Sequence, residues 1–228
     1  MAAIQLVVCD MAGTTIQDRA NVHDAFISAL GKGGVSITRE DANRVMGHRK
    51  PDAIRQLITE NEGKAPDRFR VSELHQHFVQ EMVDFYTNDP DFGPMPGAEA
   101  AFEKLHARGI LVALNTGFSR PIANAILKRL GWQEGKTIDL SVTSDEVANG
   151  RPAPDMTFEC MNRLRVMQSK HVAKVGDTPS DLGEGTNAGC AYVIGVTSGA
   201  YTAEALQTYQ HTHILGSIAE VPDVILAA

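Results

Sequence analysis

The fold is decided at residues 6–15, which read LVVCDMAGTT. An apolar run from Leu6 to Cys9 leads directly into Asp10, and Gly13 follows in the next turn. The run predicts a buried strand, because short apolar runs bounded by turn residues are typical of strands in parallel sheets. A carboxylate at the end of such a strand is exposed at the sheet edge, and a glycine lets backbone amides approach an anion. Asp10 is therefore a candidate nucleophile, although a residue that merely caps the turn would look the same.

Four further runs of this kind follow, with helical patterns between them. They are Ile110 to Thr116, Leu140 to Ser144, Val172 to Asp177 and Tyr192 to Val196. The alternation predicts an α/β fold with a parallel sheet and helical crossovers. In such sheets ligands bind beyond the carboxyl ends of the strands.

The alternation is interrupted after the first strand. Only helical patterns occur there, at Val22 to Leu30, Thr38 to about Met46-Gly47, Pro51 to Glu60 and about Arg68 to Tyr86. We interpret residues 16–96 as an α-helical cap domain inserted after strand 1. Residues 1–15 and 97–228 then form the catalytic core.

Composition excludes several classes of protein. The 228 residues carry a net charge of −7, and lysines and arginines form no basic run, which argues against a nucleic-acid partner. No apolar run approaches the ~20 residues of a membrane span, so the expectation is a cytoplasmic protein without a membrane partner. The three cysteines are widely spaced and include no C-x-x-C pair, which favours reduced thiols.

A second acidic motif, Asp177-Thr178-Pro179-Ser180-Asp181, follows the fourth predicted strand. Two carboxylates four residues apart, at a turn that opens a helix, can face one point, and Mg²⁺ prefers hard oxygen ligands. A helix cap explains either aspartate alone but explains the pair less well.

Two weaker motifs suggest phosphate binding. Thr116 and Gly117 end the second strand before a helix, where a hydroxyl and backbone amides can hold phosphate oxygens. The guanidinium of Arg151 can span two such oxygens. Each residue type is also ordinary in turns or on surfaces.

The ordered set of four motifs resembles the haloacid dehalogenase superfamily over the whole chain. The resemblance implies a three-layer, Rossmann-like core, the inserted cap and an aspartyl-phosphate on Asp10. It also implies Mg²⁺ held by Asp10, the carbonyl of Ala12 and Asp177, with Asp181 either a direct ligand or a supporting residue. The phosphate would lie against Ala12, Gly13, Thr116, Gly117 and Arg151.

Ala12 is informative because phosphatases of this superfamily usually carry a second aspartate there, which protonates the leaving alcohol. One interpretation is an inactive copy. Another is a substrate that needs no such proton, as when a C–P bond breaks next to a protonated imine and its electrons enter an enamine. That chemistry requires a lysine. Lys50 is the candidate, on the expected link between two cap helices, where Arg49 and burial would lower its pKa. Lys50 could instead only read substrate charge.

Three features are together similar to the phosphonoacetaldehyde hydrolase (phosphonatase) branch and its relatives. They are the run Asp-Met-Ala-Gly-Thr-Thr at residues 10–15, Arg151 in the third motif, and Met46-Gly47-x-x-Lys50 in the cap. The resemblance implies hydrolysis of the C–P bond of phosphonoacetaldehyde or a related 2-oxoalkylphosphonate, through a Lys50 Schiff base. It also implies Met46 and Gly47 at the substrate and a homodimer formed through the cap. The long cap helix, with Phe78 and Met82, is then either cap core or dimer seam.

The sequence departs from this branch at three positions. Ala53 stands where a histidine thought to shuttle protons is usual, Phe118 replaces a tyrosine, and Ala20 replaces a cysteine. These departures favour a 2-oxoalkylphosphonate other than phosphonoacetaldehyde, and His48 is a hypothetical replacement for the histidine. Two alternatives stay open: a cap-gated, Mg²⁺-dependent phosphatase of a small phosphate ester, with Lys50 as a specificity cation, and a phosphate-binding protein.

Overall fold

A computed structural model describes residues 3–227 as a six-stranded parallel sheet with helices on both faces. The strands are β1 (Leu6–Asp10), β2 (Leu111–Thr116), β3 (Leu140–Thr143), β4 (Val172–Gly176), β5 (Tyr192–Val196) and β6 (His213–Leu215). Their order in the sheet is β3-β2-β1-β4-β5-β6. The winding therefore reverses between β1 and β4, which is where ligands bind in open α/β sheets.

Ten helices connect and cover these strands in the described part of the chain. They are α1 (Asn21–Lys32), α2 (Arg39–Arg44), α3 (Lys50–Glu62), α4 (Arg68–Asn88), α5 (Ala98–His106), α6 (Arg120–Leu130), α7 (Asp155–Arg163), α8 (Pro179–Ala188), α9 (Ala203–Leu206) and α10 (Val221–Leu226). Three single-turn 3₁₀ segments supplement them.

Strand β1 is buried on both faces of the sheet. Its alternate side chains point in opposite directions, and each set packs into an apolar cluster. Val7 and Cys9 belong to a large cluster that includes residues of α5, α6 and α10. Leu6 and Val8 belong to a second cluster, built with residues of α7. The predicted α/β fold with a three-layer core is therefore confirmed.

Helices α1–α4 lie between β1 and β2 in the chain, as the helical pattern predicts. Their contacts centre on aromatic residues, with the rings of Phe26 and Phe78 4.7 Å apart. Phe78 and Met82 are almost fully buried within the chain, so they are core residues and not an exposed dimer seam. The domain limits at residues 15 and 97 stay a prediction, and residues 1, 2 and 228 of that division lie outside the described part.

Some element limits differ from the expected ones. Helix α1 continues past Gly31 to Lys32, and the chain turns only at Gly34, whose φ of 75° lies in the left-handed region. Helix α2 ends at Arg44, before the expected Met46-Gly47. Strand β6 was not predicted, because it has only three residues and they are half-buried.

Within residues 3–227 no helix is both long and apolar enough to cross a membrane.

Candidate active site

A small cavity lies at the carboxyl ends of β1, β2 and β4, beneath the segment that joins α2 and α3. Several of the predicted site residues line it together. The lining residues are Asp10, Ala12, Asp18, Val22, Met46, Gly47, Lys50, Thr116, Gly117, Phe118, Asp177, Thr178 and Ala200. Gly13, Arg151 and Asp181 do not line it.

Three buried carboxylates, those of Asp10, Asp177 and Asp181, meet at the junction of β1 and β4. Each offers an oxygen within 4.8 Å of the others. Burial and the charges of Asp10 and Asp181 hold the pKa of Asp177 well above its usual range. Such a cluster of hard oxygen atoms is the donor set that a divalent cation favours.

The turn after β1 brings these carboxylates together. Gly13 has a φ of 84°, and a Cβ there would lie 2.6 Å from Asp177 Oδ2, so no larger residue fits. The Thr14 hydroxyl donates to Asp177 Oδ1 (3.1 Å), and the Thr15 hydroxyl donates to the carbonyl of Asp10 (2.9 Å). Gly13 therefore permits the close approach of β1 to the β4 loop and does not itself face the cavity.

Arg151 lies behind Asp10, fully enclosed by acidic and amide groups. Its Nη1 donates to Asp10 Oδ1 (2.5 Å), and its Nε donates to Glu184 Oε2 (2.8 Å). Its Nη2 donates to both the carbonyl and Oδ1 of Asn115. The hydrogen-bond donors of Arg151 are directed at protein groups in this arrangement, and its expected contact with substrate phosphate stays a prediction.

Lys174 and Glu184 complete this network, and the sequence reasoning missed both. The Lys174 ammonium donates to Asp181 Oδ1 (2.8 Å) and Asn115 Oδ1 (3.0 Å). Glu184 Oε1 accepts from the amide and hydroxyl of Thr157 and from Asn115 Nδ2. One signal was available: Lys174 is a charged residue in the middle of an otherwise apolar strand.

Asp181 is held tightly inside the network. It accepts hydrogen bonds from Lys174 and, at 2.6 Å, from the Thr178 hydroxyl, and Arg151 lies 3.1 Å away. Although burial opposes ionisation, the charges of Arg151 and Lys174 lower the pKa of Asp181 below its usual value. Asp177 has no cationic partner within residues 3–227; its partners are the Thr14 hydroxyl and a backbone amide.

The segment 46–50 packs directly on the end of β2. A Cβ at Gly117 would lie 2.5 Å from the carbonyl oxygen of His48, and one at Gly47 would lie 2.5 Å from Thr178 Oγ1. Thr116, beside Gly117, is buried, and its hydroxyl accepts from the amide of Phe118 at 3.2 Å. Glycine at positions 47 and 117 therefore allows segment 46–50 to lie close to the strand ends that carry the three carboxylates.

Lys50 is the first residue of α3, not part of a link, and it is 3% exposed. Its ammonium lies 5.4 Å from the ring centroid of Phe26 and 5.1 Å from that of Phe118. Its hydrogen bond is to the carbonyl of His48, at 3.2 Å. Among residues 3–227 no carboxylate lies within ion-pair distance of it.

Burial lowers the pKa of Lys50 to about 8, and Arg151 contributes in the same direction. The expected lowering by burial is confirmed. Arg49 is not among the main causes of this shift, and its side chain donates to the carbonyl of Ala148. The His48 ring does not line the cavity, so its proposed proton transfer has no geometric support.

A family model for haloacid dehalogenase-like hydrolases matches residues 4–189. The chain belongs to the haloacid dehalogenase-like hydrolases. Within this family it is 34% identical over 207 residues to a phosphonoacetaldehyde hydrolase of Bacillus cereus, covering 86% of this chain and 77% of the relative. It is also 34% identical over 196 residues to a bifunctional phosphonoacetaldehyde hydrolase/aminoethylphosphonate transaminase of Clostridioides difficile. That match covers 82% of this chain and only 30% of the larger protein.

Solved structures agree on the fold of this haloacid dehalogenase-like hydrolase. A phosphonoacetaldehyde hydrolase-like protein from Oleispira antarctica aligns with a TM-score of 0.82 and 24% identity, covering 99% of this chain and 92% of the other. A putative β-phosphoglucomutase from Bacteroides vulgatus aligns with a TM-score of 0.85 and 17% identity, covering 99% and 90%. At these identities the likeness shows the fold alone.

The buried network makes Glu184 a large contributor to stability. Glu184→Gln removes a carboxylate that faces Arg151 and Lys174, so it breaks two ion pairs that are fully buried. We expect the free energy of unfolding to fall by about 3–5 kcal/mol, measured by urea denaturation. The control is Glu159→Gln, which breaks a partly exposed pair with Arg163 and costs about 0.5 kcal/mol or less. Equal effects of the two substitutions would contradict the network's role.

The packing of segment 46–50 on β2 predicts a second stability effect. In Gly117→Ala the added methyl group meets the backbone of His48, so we expect a loss of about 1–3 kcal/mol in the free energy of unfolding. The control is Gly31→Ala within α1, where a Cβ meets nothing within 4 Å. That change should stabilise by up to about 1 kcal/mol. A neutral Gly117→Ala would show that the close approach is not required.

Proposed function

We propose that this haloacid dehalogenase-like hydrolase cleaves the C–P bond of phosphonoacetaldehyde or a closely related 2-oxoalkylphosphonate. The observation that carries the proposal is that Lys50 and Asp10 line one small cavity, beside Ala12. A buried amine and a nucleophilic carboxylate then face the same substrate. The position that would supply an acid for an ester substrate holds only a methyl group.

The environment of Lys50 suits an amine nucleophile. Only the neutral amine reacts with a carbonyl, and an ordinary lysine is neutral in about one molecule in a thousand or fewer at pH 7. With its pKa lowered to about 8, Lys50 is neutral in roughly one molecule in ten. Lys50 is almost fully buried, and its amine lies close to the rings of Phe26 and Phe118.

The proposed reaction divides between the two covalent residues. Lys50 condenses with the substrate carbonyl and releases water, which gives an iminium ion. The electrons of the C–P bond then enter the iminium to form an enamine, while the phosphoryl group passes to a carboxylate oxygen of Asp10. Water hydrolyses the aspartyl-phosphate, and the enamine is protonated on carbon and hydrolysed to release the carbonyl product.

The remaining residues hold the phosphoryl group and Asp10. Thr116, Gly117 and the backbone at Ala12 line the cavity where the phosphoryl oxygens would lie, and Met46 and Gly47 close it from above. Arg151 fixes the orientation of the Asp10 carboxylate through its 2.5 Å hydrogen bond. Arg151 is therefore a positioning residue for the nucleophile in this proposal.

The buried charges at this edge fit a bound Mg²⁺ ion. Four carboxylates are buried there, those of Asp10, Asp177, Asp181 and Glu184, against the two cations of the network, Arg151 and Lys174. Asp10, Asp177 and the carbonyl of Ala12 would hold the ion, and Asp181 would support them from within its network. When bound, Mg²⁺ offsets the excess negative charge and stabilises the phosphoryl oxygens during transfer.

A phosphatase of a small phosphate ester is the second candidate. The observation that favours it is the same pKa of about 8, because at pH 7 most Lys50 side chains are still cationic and can attract an anionic group. A phosphate-binding protein is the remaining alternative from the sequence. The homodimer through the cap and the cytoplasmic location remain predictions.

The covalent role of Lys50 is tested by trapping. Incubation with phosphonoacetaldehyde and borohydride should reduce the Schiff base to a stable adduct on the Lys50 peptide, detected by mass spectrometry. Lys50→Arg keeps the charge but cannot form the imine, so both the adduct and phosphate release should be abolished. Lys64→Arg, at an exposed position, is the control and should behave as the unmodified protein.

The trapping result separates the candidates. Ester hydrolysis without any adduct would select the phosphatase, and a Lys50→Arg variant that still turns over phosphonate would refute the Schiff base. Failure to release phosphate from any phosphonate or ester with Mg²⁺ present would favour the binding protein.

The pKa of Lys50 predicts a pH dependence. Below about pH 8 the neutral fraction rises tenfold per pH unit, and above it the fraction levels off, so the rate constant of adduct formation should follow this curve. The measurement is single-turnover trapping with cyanoborohydride between pH 6 and 9.5. A rate that is flat over this range would show that deprotonation of Lys50 does not control the reaction.

A further inference from the structure

Asp18 is an ionisable residue of the cavity wall that the proposed reaction leaves without a role. It lies between β1 and α1 and lines the cavity together with Lys50, Val22 and Phe118. The other carboxylates of the lining, those of Asp10 and Asp177, belong to the acid cluster. Asp18 is therefore the one lining acid that is free of that cluster.

The carboxylate of Asp18 is oriented by backbone and not by side chains. The amide of Asn21 donates to its Oδ1 at 2.9 Å, at the start of α1. Within residues 3–227 no side chain forms a hydrogen bond or ion pair with it. Burial raises the pKa of Asp18 above its usual value, against the opposing charges of His23 and Lys50 and the backbone amides of Asn21 and Val22.

Lys50 in turn needs a proton acceptor. The negative charges of Asp10 and Asp18 act on its ammonium, but Asp10 is engaged by Arg151 at 2.5 Å. The carbonyl of His48, its direct partner, cannot take a proton. Asp18 is left as the acid of the cavity wall that can exchange protons with the amine.

We propose that Asp18 is the proton-transfer residue for Schiff-base chemistry at Lys50, an inference that rests on the proposed function. Because no carboxylate lies within ion-pair distance of Lys50, the Asp18 carboxylate takes one proton from the Lys50 ammonium through an intervening water molecule, and the neutral amine attacks the carbonyl carbon. The amine proton moves to the former carbonyl oxygen, which gives a neutral carbinolamine. The Asp18 carboxylic acid then protonates the hydroxyl group, the C–O bond breaks, and water leaves the iminium ion. Asp18 ends as a carboxylate, and the reverse sequence hydrolyses the product iminium.

Two histidines near Lys50 do not fit this role: His48, which is close to it in sequence, and His75, whose pKa is affected by the Lys50 charge. His48 and His75 are absent from the cavity lining, and Nε2 of His75 is buried without a hydrogen-bond partner in the described chain. Burial lowers the pKa of both rings, which favours their neutral forms. Neither histidine is therefore among the residues that share the cavity with Lys50 and Asp10.

The test is Asp18→Asn. The variant keeps an oxygen that accepts from the Asn21 amide, but its side chain cannot take up and return a proton. We expect the rate constant of cyanoborohydride trapping with phosphonoacetaldehyde to fall about 100-fold or more, while KM changes less than about threefold. The matched control is Asp52→Asn, an exposed carboxylate two residues after Lys50, which should leave the rate unchanged.

The direction of the change separates proton transfer from electrostatics. Asp18 raises the pKa of Lys50, so its removal alone would increase the neutral amine and speed trapping at pH 7. A slower Asp18→Asn variant therefore supports the proposal. A rate equal to or faster than that of Asp52→Asn overturns it.

A second variant distinguishes the loss of proton transfer from a folding defect. Asp18→Ala should lose trapping and regain part of it when formate, a small carboxylate that fits the vacated space, is added. If Asp18→Asn is slow but formate restores nothing to a folded Asp18→Ala, the proposal is wrong. If the unmodified protein itself gives no adduct, the proposed function fails, and that outcome is distinct from a failure confined to Asp18.

Discussion

The contact between Arg151 and Asp10 is the interaction on which the site depends. Unpaired charges are costly to bury, and here the sheet edge buries several carboxylates close together. Arg151 offsets part of this cost, because its flat guanidinium donates hydrogen bonds to Asp10, Glu184 and the amide side chain of Asn115 at the same time. A single side chain therefore connects the ends of strands β1 and β2 with helix α8.

The groups that we propose to react come from two different parts of the chain. The acids and their cations lie on the strand ends of the sheet, whereas Lys50 arrives on the first turn of a helix from the inserted segment. Glycines at 47 and 117 let the two parts meet at backbone distance. The position of the Lys50 amine relative to the Asp10 carboxylate is thus set by backbone packing and not by the long side chain of lysine alone.

Much of this arrangement could be predicted from the sequence. The ends of parallel strands meet at one edge, so the proximity of Asp10 to Asp177, and of Thr116 to both, followed from the order of apolar runs. Burial of Lys50 followed from the expected position of the helices above that edge. Lys174 was missed because a lysine in a strand suggests an exposed edge, whereas here β4 lies next to the central strand.

Other features depend on geometry that local patterns do not contain. Arg49 adjoins Lys50 in sequence, but residues next to each other at the start of a helix point in different directions, and the effective cation was Arg151, about a hundred positions away. Glu184 resembles an ordinary surface residue of a helix until both α7 and β2 pack against it. Asp18 precedes a helix like any turn-forming acid, and only the fold places it on the cavity wall.

The start of α3 at Lys50 has a consequence for the electronic course of the proposed reaction. A helix N-terminus carries a partial positive charge, so cations normally favour the opposite end, by about 0.3–1 kcal/mol. A positively charged iminium at this position is disfavoured relative to the neutral enamine that follows it. In the proposed reaction the helix dipole would therefore favour C–P cleavage, because it makes the nitrogen a stronger electron acceptor at the step in which the carbon releases phosphorus.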